Sequence, residues 1–276
     1  MVKHKPSKMS EGQFDIIMSG AQITDGDKTA IKSRFTVRYP QPIRIPDTAT
    51  ECVVSVQAAN IWNSVRNITA TNNVFRVYVP NASNQLTWYS LLLTPGLYDI
   101  DSFASHVTLL MQNEGILMST QPITVAANYA SGKVVLKFAV TGVKVDFTVA
   151  NSCNAILGFN AQEYGGYAAN QTPQNLEAPL SAKFNQYDSL QIHASLVDEG
   201  LLLNDKYYQT VGQVPMNAGI GQIVYFSPYN PSRVYANRLV ASKLDRVSVW
   251  LTTQDGVTEP DLGGEDFSVR FRIEWR

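Results

Sequence analysis

The chain has 276 residues and a mass of 30.5 kDa, enough for one large β-domain or two ordinary domains with a sizeable core. Lys and Arg number 22 and Asp and Glu 23, a net charge of −1, so no global field favours nucleic acid or an anionic membrane. A hydrophobic content of 45% excludes wholesale disorder, while only 16% charged residues, against about 25% on average, leave uncharged amides and hydroxyls to cover the surface.

Residues 1–34 read as an arm. It opens with the basic Lys3, Lys5 and Lys8, and Asp25-Gly26-Asp27 supplies turn chemistry. No apolar run there is long enough for a signal peptide or a membrane span, so synthesis in the cytosol is expected. Strand alternation starts at 34–40, with Phe35, Val37 and Tyr39 on one face and Arg34, Thr36 and Arg38 on the other. Pro40, Pro42 and Pro46 confine the next extended piece to an edge or a bulge. Further strands are predicted over 51–59, 73–79 and 86–93, with a turn-rich loop at 67–73.

The period then changes. Ile100, Phe103, Val107, Leu110 and Met111 recur at helical spacing, with Asp101 and Ser102 as expected caps and Gly115 beyond the end. Strands resume at 122–128, 133–140 and 144–149, followed by a short helix closed by Gly158. Residues 160–187 read as a long connection, a length that is usually functional or packs over another surface. Four strands close the chain, at 189–196, 221–226, 244–252 and 267–275. In the last, Phe267, Val269, Phe271, Ile273 and Trp275 face one way, and Ser268, Arg270, Arg272, Glu274 and Arg276 the other. Eight main strands without βαβ alternation predict a mainly β protein, an antiparallel β-sandwich of the jelly-roll kind, with a helix and small hairpin region inserted.

Chemistry is sparse. Of the three histidines, His4 lies in the arm, His106 on the boundary side of the helix and His193 on a strand. His193 and Ser195 share a face, but neither a GxSxG elbow nor an orienting acid accompanies them, so a structural role is expected. The pairs Asp99/Asp101, Asp198/Glu199 and Glu265/Asp266 fit caps and turns, and Asp25-Gly26-Asp27 lacks the later ligands of a calcium loop. Cys52 and Cys153 sit in no metal-ligand pattern and read as small buried hydrophobes. The sequons at Asn67, Asn81 and Asn170 read as accidents of an Asn-rich chain. No catalytic residue, cofactor, metal or specific nucleic-acid site is expected, and the chain reads as a non-enzyme. Two charge groups stand out: the arm lysines as an interior or partner contact, and Arg270, Arg272 and Arg276 as a subunit-facing stripe.

The run Leu93-Thr94-Pro95-Gly96-Leu97-Tyr98-Asp99-Ile100, the amphipathic helix, the hairpin and Ile156-Leu157-Gly158-Phe159 resemble structural proteins of double-stranded DNA viruses. The nearest resemblance is to the penton, or minor capsid, protein of virophages and the polinton and adintovirus group. The strand 189–196, Gly212-Gln213-Val214-Pro215, Tyr225-Phe226-Ser227-Pro228 and the run 244–256 are similar too, so the likeness spans residues 50–276. It implies a single jelly roll over 35–276, with 97–160 inserted, forming homopentamers at icosahedral capsid vertices. It further implies a virion location, neighbouring major capsid proteins as partners, and an arm turned toward an internal membrane or scaffold. Two other readings stay open: a trimeric jelly-roll major capsid or capsid-associated protein, and a carbohydrate- or receptor-binding β-sandwich using Trp88, Tyr89, Tyr164 and Tyr167. A host receptor is not identified by any of these residues.

Overall fold

The computed structural model describes residues 11–23, 32–116, 120–168, 170, 174–185, 187–203 and 206–276. In chain order its elements begin with β1 (Gly12–Ser19), β2 (Arg34–Arg44), β3 (Cys52–Trp62), β4 (Val74–Pro80), β5 (Leu86–Leu92) and α1 (Ile100–Asn113). There follow β6 (Ile123–Asn128), β7 (Lys133–Phe138), β8 (Lys144–Asp146), α2 (Asn154–Leu157), β9 (Glu163–Gly165) and β10 (Gln174–Glu177). The last are β11 (Ser189–Ala194), β12 (Leu202–Leu203), β13 (Lys206–Tyr207), β14 (Thr210–Pro215), β15 (Ile223–Phe226), β16 (Val234–Tyr235), β17 (Lys243–Thr252) and β18 (Ser268–Trp275). Two compact units result, one of Met1–Val65 with Tyr187–Arg276 and the other of Arg66–Gln186. Among the described residues no helix is long and apolar enough to cross a membrane.

The discontinuous unit is a jelly roll. One sheet runs β1-β18-β3-β15, with β16 also on β3, and the other β14-β11-β17-β2. Taking its eight long strands in order, the first pairs the eighth, the second the seventh, the third the sixth and the fourth the fifth, all antiparallel. That is one long hairpin rolled up into two facing sheets. The pleat explains which side is core. Phe14, Ile16 and Met18 of β1 stand opposite Ile273, Phe271 and Val269 of β18, and this row meets Phe35, Ile192, Val249 and Leu251 from the other sheet. Each fully buried side chain of this size contributes about 1.5–3 kcal/mol. Phe35 and Phe267 touch at 4.9 Å between ring centres. Gly12 is required where it stands, because a Cβ there would lie 2.3 Å from the Trp275 ring.

The continuous unit has its own core. Its sheets run β5-β4-β8-β9 and β10-β7-β6. Phe75, Phe103, Phe138 and Phe147 are buried among them, with the helix residues Val107 and Met111. Helix α1 is capped by Asp99, whose carboxylate accepts from the Ser102 amide at 2.7 Å while Ser102 Oγ accepts from the Asp99 amide at 3.0 Å. The expected cap Asp101 lies instead in the first turn, where its charge still complements the helix dipole. Gly158 adopts φ +79° after α2, and a side chain there would strike the Leu180 carbonyl. Asn67 is fully buried and ties the unit's beginning to its end. Its Nδ2 donates to the carbonyls of Tyr98 (2.6 Å) and Phe184 (2.9 Å), and its Oδ1 accepts from the Tyr98 amide at 2.9 Å.

Three features differ from the sequence expectations. Strand β1 falls inside the stretch read as an arm, because only three inward residues alternate there. The strands at 73–79 and 86–93 form β4 and β5 of the continuous unit, while β1 and β14 complete the roll in their place. The long connection contains β9 and β10, which finish the two sheets of that same unit.

Candidate assembly surface

The outward face of the roll's first sheet carries the expected arginine stripe. In the register of β1 on β18, Asp15 stands opposite Arg272 and Ile17 opposite Arg270. Asp15 is clamped by both cations. Arg272 Nε donates to its Oδ1 at 2.8 Å, Arg270 Nε donates to Oδ2 at 2.9 Å, and the Arg270 Nη2 contact closes the fork. The hydrogen bond from Arg272, with that from Arg270, outweighs the opposing desolvation and holds the Asp15 carboxyl down at about 2. Arg276 pairs with Glu51, and Glu274 of the same strand accepts from Arg233 at 2.6 Å. The stripe is therefore a row of paired charges on the roll's exterior. Exposed pairs of this kind add about 0–1 kcal/mol each to stability. The arm residues Lys3, Lys5 and Lys8 and the Asp25-Gly26-Asp27 turn lie outside the described residues.

Two rims of this sheet expose apolar side chains. On β1, Ile17 is 74% exposed. Along β15, β16 and the loop between them, Ile223, Tyr225, Tyr229 and Tyr235 all project into solvent. Nothing in the alternation of 221–226 marked this rim, because the signal is the spacing of tyrosines across a loop rather than a periodic run.

The second sheet's outer face is built differently. His193, Gln191, Thr210 and Thr252 are buried there, although in register they point away from the core between the sheets. His193 stacks on Trp250 at 5.3 Å and 8° between planes, and the Arg34 guanidinium sits 4.6 Å from the Trp250 ring centre. Arg34 is paired with Glu259 at 2.6 Å. The hydrogen bonds assign the tautomer. Thr252 Oγ1 donates to the Thr253 carbonyl, so it accepts from His193 Nε2–H at 2.7 Å, which leaves Nδ1 to accept from Thr210 Oγ1 at 3.3 Å. Ser195 is engaged elsewhere, its Oγ accepting from the Ser248 amide at 2.9 Å. The two side chains do not form a nucleophile–base pair; both fasten strands together. Burial, reinforced by Arg34 and opposed by Glu259, pushes the His193 imidazole down to about 4, so it is neutral at pH 7.

The aromatic residues considered for sugar stacking do not form one platform. Trp88 and Tyr89 are neighbours in β5 and point to opposite faces. Trp88 packs on Tyr78 and under Arg76, whereas Tyr164 packs on Phe147 and Phe159, and Tyr167 on Phe138. Cys52 and Cys153 are free, buried and divided between the two units, and burial pushes both thiols up, Cys52 to about 11. Asn67, with its side chain committed to two carbonyls, has no amide free for a glycan.

No family model matches the sequence, and no curated protein matches it. Among solved structures, the crystal structure of the selenomethionine-labelled mavirus penton protein matches with a TM-score of 0.50 and 11% identity, over 97% of this chain and 100% of that one. The likeness is one of fold. At that coverage it includes the inserted unit as well as the roll.

Proposed function

We propose that this chain is a structural virion protein, the penton that forms pentamers at the vertices of an icosahedral capsid, and that it has no enzymatic role. The observation that carries the reading is topological. A single roll, with a second unit inserted between its third and fourth strands, is similar in fold to a viral penton protein over 97% of the chain. A major capsid protein with two rolls fits less well, since the pairings in the inserted unit do not repeat the roll's nested order. In this reading the partners are further copies of the chain and the neighbouring major capsid proteins. Lys3, Lys5 and Lys8 face an internal membrane or scaffold, and Arg270, Arg272 and Arg276 lie toward another subunit. The pairing of those arginines with Asp15 and Glu51 supports that placement, because a row of paired charges is less costly to bury than bare charges. Native mass spectrometry of the full chain tests it. A pentamer is expected; a trimer points to the major-capsid alternative, and a strict monomer that binds a glycan array points to the carbohydrate module.

A further inference from the structure

A closed ring of identical subunits needs two unlike, complementary patches on each copy, one meeting the other around the ring. The roll presents two unlike patches at opposite edges of one sheet. Among the described residues, β1 pairs with β18 alone, and β15 and β16 pair with β3 alone, so the outer sides of these strands are unpaired. The second sheet is less suited to such joining. Its edge strand β2 carries Pro40 and Pro42, and its other edge, β14, ends in Pro215, all of which lack the amide a strand-to-strand ladder needs. Strand β1 contains no proline and no lysine.

We propose that copies of this chain join head to tail through the roll, the tyrosine rim of one copy (Tyr225, Tyr229 and Tyr235) seating on the β1 edge of the next around Ile17. The inference rests on the assembly reading above and adds to it the two surfaces that meet. Exposure supports them: Ile17 is 74% exposed, Tyr225 71% and Tyr235 66%, values at which an apolar side chain gains by association. Tyrosine is the residue type that interfaces favour, with a large apolar body and a hydroxyl that remains satisfied at the rim. Arg233 keeps Glu274, Arg238 keeps Asp198 and Asp15 keeps its arginines, so joining the rims strands no charge.

The test uses two full-length variants, Ile17→Asp and Tyr225→Asp, each altering an exposed side chain. Thermal unfolding checks that both retain the wild-type fold, and Tyr235→Ser serves as a second rim variant if Tyr225→Asp does not. Sedimentation velocity is expected to show rings for the wild type and monomers for each variant, with association weakened about 100-fold. An equimolar mixture of the two variants is expected to give dimers and nothing larger, because one intact rim meets one intact edge and both remaining patches are disabled. Folded variants that still form rings, or a mixture that yields no dimer, overturn this inference while leaving the capsid reading in place. A wild type that is monomeric in solution and absent from particles overturns both.

Discussion

Acid should loosen the roll through His193. The imidazole is 1% exposed, stacked on Trp250, with both ring nitrogens engaged by threonine hydroxyls and the Arg34 cation on the same aromatic ladder. A second positive charge in this buried site is disfavoured by desolvation and by the Arg34 cation. In the unfolded chain the ring takes a proton near 6.5, whereas in the fold it does so only at about 4. Between those values the unfolded state binds a proton that the native state does not, so stability falls as pH falls through this window. Stability from this source is complete above pH 6.5 and lost by about pH 4, and the difference corresponds to about 3 kcal/mol. Urea unfolding at successive pH values, followed by tryptophan fluorescence, compares the wild type with His193→Gln. The glutamine cannot titrate, and its amide N–H can still donate to Thr252. The wild type should lose about 3 kcal/mol more than the variant between pH 6.5 and 4. Parallel losses in the two proteins would refute the buried neutral imidazole.

Three other changes probe the architecture. Asn67→Ala leaves the Tyr98 and Phe184 carbonyls without their donor and should lower the stability of the continuous unit by about 2–4 kcal/mol, measured by denaturant unfolding. Gly12→Ala forces a methyl onto the Trp275 ring and should cost about 1–3 kcal/mol, with faster amide exchange in β1 as its local signature. Asp99→Ala removes the carboxylate side of the capping box of α1 and should cost about 1 kcal/mol, with Asp101→Ala costing clearly less in the same thermal scan.

How legible the fold was depended on how local its causes were. The alternation of 267–275 placed every side chain of β18 on the correct face, because one side of that strand is core and the other is solvent. Helix α1 and the turn at Gly158 were equally plain, since spacing and a left-handed glycine are properties of a few adjacent residues. Strand β14 was not read, because the bulge beside His193 places Val211 out of alternation and Gly212 has no side chain to signal its inward direction. Which strands belong to the roll was beyond any local pattern. Those at 73–79 and 86–93 alternate like roll strands, and only long-range pairing assigns them to the inserted unit. The polar network around His193 was hidden for a similar reason, since Thr210, Trp250, Thr252 and Arg34 come from three other strands of the sheet. The alternation put Arg270 and Arg272 on one face, but their shared partner Asp15 lay in a segment expected to be an arm.

Electron microscopy of assembled particles tests the central claim most directly. The account predicts that this chain fits the density at five-fold vertices, five copies around each axis, with the rolls adjoining one another. Density for this chain at quasi-six-fold positions as trimers, or particles complete without it, would contradict the account.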